Sequence, residues 1–211
     1  VDIYGIAVVI EARDYDRNFP ALRRTRPGAN APMQSTSREE TLALWKAQEQ
    51  EMRARLGKAG SMSLLDVAQL TPQEFFDGIG SGLYPHPPIG ELMDFVPIEW
   101  APGRFVFQGT PGPQHYNPLG TVHGGYAATL LDSCMGCSIH TQLKKGQGYT
   151  TLDLRISYIH ALNNKTGPIR AEGTVVHVGR STALAEGRIY DADGRLYATG
   201  TTTCMILDMN R

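Results

Sequence analysis

The chain has 211 residues, with 20 Lys and Arg against 21 Asp and Glu and a formal net charge of -1. That length holds one domain with an appendage, or two small domains. Apolar residues at 41% and charged residues at 19% exclude a disordered chain. The balanced charge excludes a non-specific polyanion binder but not a small anionic ligand, which needs only a few local cations.

Residues 1–35 combine a short apolar run (residues 3–10), the basic Arg23-Arg24-Thr25-Arg26 and the loop-like Pro27-Gly28-Ala29-Asn30-Ala31-Pro32. The run is too short to span a bilayer, lacks a basic flank and is followed by Glu11, Asp14 and Asp16, so it reads as neither anchor nor signal peptide. These residues are expected to be a poorly ordered extension outside the chemistry. Three cysteines, an odd number, do not make a disulfide framework. Asn164-Lys165-Thr166 matches a glycosylation sequon, which carries little weight without an export signal. The expectation is a soluble cytoplasmic protein with no membrane and no nucleic-acid partner.

Residues 36–70 read as a helical N-terminal segment. Ser37-Arg38-Glu39-Glu40 is a capping box, in which the hydroxyl and the carboxylate each satisfy an orphan amide. Leu42, Trp45, Met52 and Leu56 then form one stripe, and Gly57 with Gly60 ends the helix. Thr71-Pro72-Gln73-Glu74 repeats the signal with Pro at the first helical position, opening a short helix that carries Phe75, Phe76 and Ile79. Tyr84-Pro85-His86-Pro87-Pro88 reads as a stiff extended connector.

Residues 71–211 read as the main domain. Strands are predicted at 96–100 and 105–110 around the Pro102-Gly103 turn, then one long apolar helix from Gly124 to about Gln142. Four strands follow at 149–160, 168–178, 182–191 and 195–207, separated by Thr166-Gly167, Gly179-Arg180 and Asp191-Ala192-Asp193-Gly194. The nearly strict alternation from Thr150 to Tyr158 puts one face inside and one outside. The sum is an α+β fold in which an antiparallel sheet covers a single helix.

The helix carries the chemistry. Asp132 is its only carboxylate, flanked by Leu130, Leu131 and Met135. A charge on a helix otherwise apolar or small is costly unless paired, so it is either functional or set on a narrow solvent-facing strip. Gly124 and Gly125 are poor helix formers, but at a helix start they let a ligand approach the free amides closely, and the dipole there favours an oxygen gaining negative charge. Close packing on the sheet would ask for the same glycines. Eight positions separate Gly124 from Asp132, about 12 Å at 1.5 Å per residue, too far for both to serve one carbonyl from one chain. If both act, a second copy of the chain is required.

Asn117-Pro118-Leu119-Gly120-Thr121-Val122-His123-Gly124-Gly125, followed by Asp132, resembles the hotdog-fold acyl-CoA thioesterases of the PaaI, or phenylacetate-degradation, type. The resemblance covers about residues 70–207, including Tyr149-Thr150-Thr151-Leu152-Asp153 and Val178-Gly179-Arg180-Ser181-Thr182. It implies a hotdog fold: an antiparallel sheet wrapped around one long central helix, here with extra N-terminal helices. It further implies hydrolysis of an acyl-CoA, or related thioester, with no cofactor beyond the coenzyme A of the substrate and no metal. Sites would lie at the interface of a homodimer or homotetramer.

By that resemblance Asp132 is the base or nucleophile and the Gly124 amide polarises the carbonyl. Asn117 helps hold the carbonyl or the water, Thr151 completes the opposite wall, and His123 fixes the loop or assists polarisation. Gly125, Tyr158, Val178, Gly179, Arg180 and Ser181 would contact the substrate, Arg180 as a phosphate partner. Tyr126, Leu130 and Met135 are expected around the acyl group. The rival reading is a non-catalytic acyl-CoA binder or sensor. A hotdog dehydratase would need a different arrangement of His and acid.

Other signals are set aside. Cys134-Met135-Gly136-Cys137 has no second pair and reads as packing. Gly78-Ile79-Gly80-Ser81-Gly82 lacks the spacing of a nucleotide loop, and no G-x-S-x-G elbow is present. His115 reads as a loop residue close to the site.

Overall fold

The computed structural model describes residues 37–210, so the expected extension at residues 1–35 lies outside the described residues. Among the described residues four helices precede the sheet: α1 (Arg38–Arg55), α2 (Leu64–Ala68), α3 (Pro72–Gly80) and α4 (Pro88–Leu92). Strands β1 (Phe95–Ala101) and β2 (Arg104–Gly109) come next, then α5 (Gly124–His140), β3 (Gln147–Tyr158), β4 (Ile169–Val178), β5 (Thr182–Asp191) and β6 (Leu196–Asp208). The predicted strands and long helix all form, within a few residues of the expected ends. Helices α2 and α4 were not expected. The first is capped by Ser63, whose hydroxyl accepts from the amide of Asp66. The second starts inside the proline connector, with Pro88 at its first turn, where a missing N–H costs nothing.

The capping box at Thr71 is complete. Its hydroxyl accepts from the Glu74 amide at 3.3 Å, and Glu74 Oε2 accepts from the Thr71 amide at 2.8 Å. Replacing Thr71 with Ala should cost about 1 kcal/mol in a urea titration. The glycines that follow serve packing. A Cβ on Gly80 would lie 2.3 Å from the Trp100 ring, whose Nε1 donates to Asp77 at 2.8 Å.

All six strands form one antiparallel sheet in the order β1-β2-β4-β5-β6-β3. Alternation sorts the two faces. On one face Ile169, Ala171, Ala185 and Ile189 are fully buried with Leu130, Leu131, Cys134 and Met135 of α5. Gly173, Gly187 and Gly200 stand side by side on three neighbouring strands of that face. A Cβ on Gly173 would come 2.3 Å from the Cys134 carbonyl oxygen, and one on Gly187 2.9 Å from Met135 Cγ. This row lets α5 lie almost on the sheet backbone.

Helix α1 covers the other face. Trp45 packs on the Tyr190 ring at 6.0 Å and under the Arg170 guanidinium at 4.4 Å. Gln108, fully buried, donates to the Trp45 carbonyl at 3.0 Å and to Glu49 at 2.8 Å. Arg170 donates to Gln108 at 3.0 Å, to Glu99 at 3.1 Å and to Gln48. Two polar side chains inside the sheet therefore depend on α1 for partners, since a buried donor left unmet is expensive. Among the described residues no helix is long and apolar enough to cross a membrane.

Candidate active site

The start of α5 is capped by a side chain. His123 has extended backbone (φ -61°, ψ 137°), and its Nδ1 accepts the Gly125 amide at 2.8 Å. The ring proton therefore sits on Nε2. With the Gly125 amide taken and the Tyr126 amide donating to the His123 carbonyl at 3.0 Å, the Gly124 N–H is left without a partner among the described residues. One free donor thus stands at the positive end of a 17-residue helix, the arrangement that stabilises an oxyanion. The Tyr158 hydroxyl donates to the Gly124 carbonyl at 3.1 Å and lays its ring against Gly124.

Asn117 sits beside this helix start in a turn of its own making. Its Oδ1 accepts from the amides of Leu119 (2.9 Å) and Thr121 (3.3 Å), and its Nδ2 donates to Thr121 Oγ1 at 2.9 Å. One Nδ2 proton remains for anything outside the turn. The turn is tied down by the Val122 amide on the Leu162 carbonyl (3.1 Å) and the Asn164 amide on the Tyr116 hydroxyl (2.9 Å). A cavity of about 300 Å³ opens here, lined by His123, Gly124, Ala127, Tyr158, Ile159 and Leu162 among others.

Asp132 lies two turns along α5, half-buried, and its Oδ1 accepts from Thr151 Oγ1 at 2.9 Å. Thr151 belongs to β3, where a bulge between Thr151 and Asp153 resets the alternation. That extra residue puts Thr151 and Tyr158, an odd number of positions apart, on the same helix-facing side. One carboxylate oxygen is thereby oriented and the other left available. Cys204 Sγ lies 3.9 Å from Thr151 Oγ1, and burial pushes its thiol pKa up, as it does for Cys134 and for Cys137, the last to about 12. All three cysteines are free thiols.

The turn between β4 and β5 is closed by the Gly179 amide on the Thr182 carbonyl at 2.8 Å, and Arg180 and Ser181 are exposed on it. The Ser181 carbonyl accepts from Ile206, and β6 pairs Ile206 with Tyr149 and Cys204 with Thr151. Val178, Gly179, Arg180 and Ser181 therefore lie at the Asp132 end of the sheet. Tyr158 pairs with Ala198 at the Gly124 end. The candidate residues of one chain thus fall into two groups: Asn117, His123, Gly124, Gly125 and Tyr158 at one end, and Asp132, Thr151 and residues 178–181 at the other.

Tyr126, Leu130 and Met135 belong to neither group. Each is 0–1% exposed and packed under the sheet, so they are core residues of their own chain rather than walls around an acyl group.

The thioesterase superfamily profile matches residues 119–198, the stretch from the helix-start loop to β6. A Caenorhabditis elegans protein that bears an esterase name is 30% identical over 116 residues, covering 54% of this chain and 67% of that protein. The chain belongs to the thioesterase superfamily. EntH of Cronobacter turicensis, named as a proofreading thioesterase, is 24% identical over 122 residues, or 56% of this chain and 88% of that one. A mutant of the phenylacetic acid degradation protein PaaI from Thermus thermophilus superposes with a TM-score of 0.51 at 27% identity, covering 56% of this chain and 97% of that one. The PaaI-type resemblance and the hotdog fold expected from the sequence are both borne out. The superfamily match begins after α1–α4, so α1, which covers the outer face of the sheet, stands apart from it.

Proposed function

We propose that two copies of this chain hydrolyse an acyl-CoA thioester at sites shared between them. The observation that carries the reading is the symmetry of the two half-sites along β3. Asp132 is held by position 151 of that strand and Gly124 by position 158, two strand positions roughly 20 Å from each other in one chain. β3 is the end strand of the sheet, and its outer edge meets no other strand among the described residues. Pairing two such edges antiparallel about a two-fold axis at Arg155, midway between the two positions once the bulge is counted as one rung, sets 151 of one strand opposite 158 of the other. The carboxylate of one chain then faces the free amide of its partner. Each shared site also acquires one 178–181 turn and one Tyr158.

In that arrangement the thioester carbonyl accepts the Gly124 N–H, and a water molecule lies against the free oxygen of Asp132. The carboxylate takes a proton as the water oxygen bonds to the carbonyl carbon, and the amide holds the oxyanion that forms. The C–S bond then breaks and the thiolate recovers the proton, giving the acid and coenzyme A. Direct attack by Asp132 would instead give an anhydride, which water opens. Arg180, exposed on its turn, supplies a guanidinium for a coenzyme A phosphate. The superfamily membership and the esterase and thioesterase names of the relatives support hydrolysis; the acyl-CoA substrate is the proposal.

Complementation tests the sharing. Gly124→Pro removes the free N–H at a first helical position where Pro is favoured and after a residue already extended, with a small shift of the Tyr158 ring, which a Cβ there would meet at 3.1 Å. Gly124→Pro and Asp132→Asn chains should each be nearly inactive. Unfolded together and refolded at equal concentration, they should recover about one quarter of wild-type activity, because half the dimers are mixed and each mixed dimer has one complete site. No recovery, with mixed dimers shown by mass spectrometry, would mean that each site lies within one chain. Acyl-CoA binding by the wild type without thiol release would favour a sensor instead.

A further inference from the structure

Directly behind the helix start lie two buried polar atoms with no hydrogen-bond partner among the described residues, Nε2 of His115 and the hydroxyl of Tyr126. His115 is 8% exposed and Tyr126 1%. Their rings lie against each other with centroids 4.3 Å apart and planes tilted by 33°. His115 Nδ1 accepts the Gly112 amide at 3.0 Å, so the ring proton is on Nε2, and that nitrogen is an unanswered donor. The Tyr126 hydroxyl is a second one beside it.

An unmet buried donor costs the desolvation of the group, and folded proteins seldom leave two together without an ordered water to receive them. The surroundings suit a neutral acceptor. Gly109 faces the Tyr126 hydroxyl, and a Cβ there would lie 2.6 Å from it; the Asp94 backbone carbonyl lies 3.0 Å from the same point and can accept in turn. The Asp94 carboxylate acts on both rings and disfavours an anion. Burial lowers the His115 pKa and raises that of Tyr126, which keeps both groups neutral.

The same two residues frame the catalytic turn through their backbones. The His123 amide donates to the His115 carbonyl at 2.7 Å, and the Tyr126 amide donates to the His123 carbonyl at 3.0 Å. Gly124 is strung between these two anchors. We propose that His115 and Tyr126 jointly hold one ordered water molecule and act as positioning residues that fix the direction of the Gly124 N–H. The positioning role rests on the thioesterase reading above; the water does not.

A crystal structure of the wild-type protein and the Tyr126→Phe variant test both parts. The wild type should show a water peak within hydrogen-bond distance of His115 Nε2 and Tyr126 Oη, lost or displaced in Tyr126→Phe. The variant should unfold at lower urea concentration, and its kcat for acyl-CoA hydrolysis should fall about tenfold with KM within about twofold, because a misaimed amide weakens the transition state more than substrate binding. A higher urea midpoint in Tyr126→Phe, or no peak between the two atoms, would overturn the water. A lower midpoint with kcat unchanged would overturn the positioning role. If the wild type released no thiol from any acyl-CoA, the thioesterase reading would fail with the positioning role, while the density and the urea midpoint would still decide the water.

Discussion

Asp132→Asn should lower thiol release from acyl-CoA by roughly 10²- to 10⁴-fold, the usual contribution of a positioned acid–base group. The substitution keeps the shape of the side chain. An Asn oxygen can still accept from Thr151 Oγ1, so the hydrogen bond that the carboxylate makes among the described residues survives and the fold should be unaffected. What is lost is the ability to take a proton from water or to attack a carbonyl. The contrast with a stability mutant is therefore sharp: a urea midpoint close to wild type with turnover nearly gone. The assay should separate coenzyme A chromatographically, since the chain contributes three thiols of its own. An Asp132→Asn protein that released coenzyme A at the wild-type rate would remove this carboxylate from the mechanism, however well placed it is.

The largest effect on folding is expected at Gly173. A Cβ there would meet the Cys134 carbonyl oxygen at 2.3 Å, its carbon at 2.4 Å and the Met135 amide nitrogen at 2.6 Å. These are backbone atoms in the middle of α5, which cannot turn aside as a side-chain tip can. Gly173→Ala should cost roughly 3 kcal/mol, at the upper end for overpacking, because the whole helix must lift from the sheet. Gly200→Ala is the graded control. Its nearest neighbours would be the Arg155 carbonyl at 3.1 Å and the flexible Met135 Cε at 3.2 Å, so a smaller loss is expected. Equilibrium urea unfolding of both variants checks the order, and equal stability of Gly173→Ala and wild type would rule out so close a contact. Since Gly124 and Asp132 ride on the same helix, Gly173→Ala should lower turnover as well.

Much of this was legible because it is local. Capping residues, proline and glycine positions and alternation are properties of a few neighbouring residues, and Thr71, the Pro102-Gly103 turn and the strands after it form as read. The short helices α2 and α4 escaped for a reason of length. A single turn has no periodicity to detect, although Ser63 three places before Asp66 was a capping signal for α2. The half-sites were legible as residue types but not as places. The His-Gly-Gly start and the lone acid are visible in the sequence. That His123 takes the Gly125 amide and so leaves Gly124 alone is a matter of ring position. Nothing in the order of residues marks the His115 and Tyr126 pair, because an unmet hydrogen bond is a property of surroundings.

The sequence by itself determined an antiparallel sheet on one long helix, the membership in a family of PaaI-type thioesterases, and a distance along that helix too great for Gly124 and Asp132 to share one carbonyl in one chain. Periodicity and spacing are sufficient for the first and the last, which follow from the rise and turn of single elements, while the family was legible through the resemblance of the 117–125 motif with Asp132. Only the tertiary structure decided which strand takes the edge, that α1 covers the outer face through Trp45, Gln48 and Glu49, and that Tyr126, Leu130 and Met135 are core. A period tells which residues share a face; what covers that face is set by packing between segments far apart in the chain. The length and balanced charge of the chain allowed a domain with an appendage. Within residues 37–210 the appendage is part of the domain: α1 supplies partners that the buried Gln108 and Arg170 of the sheet require.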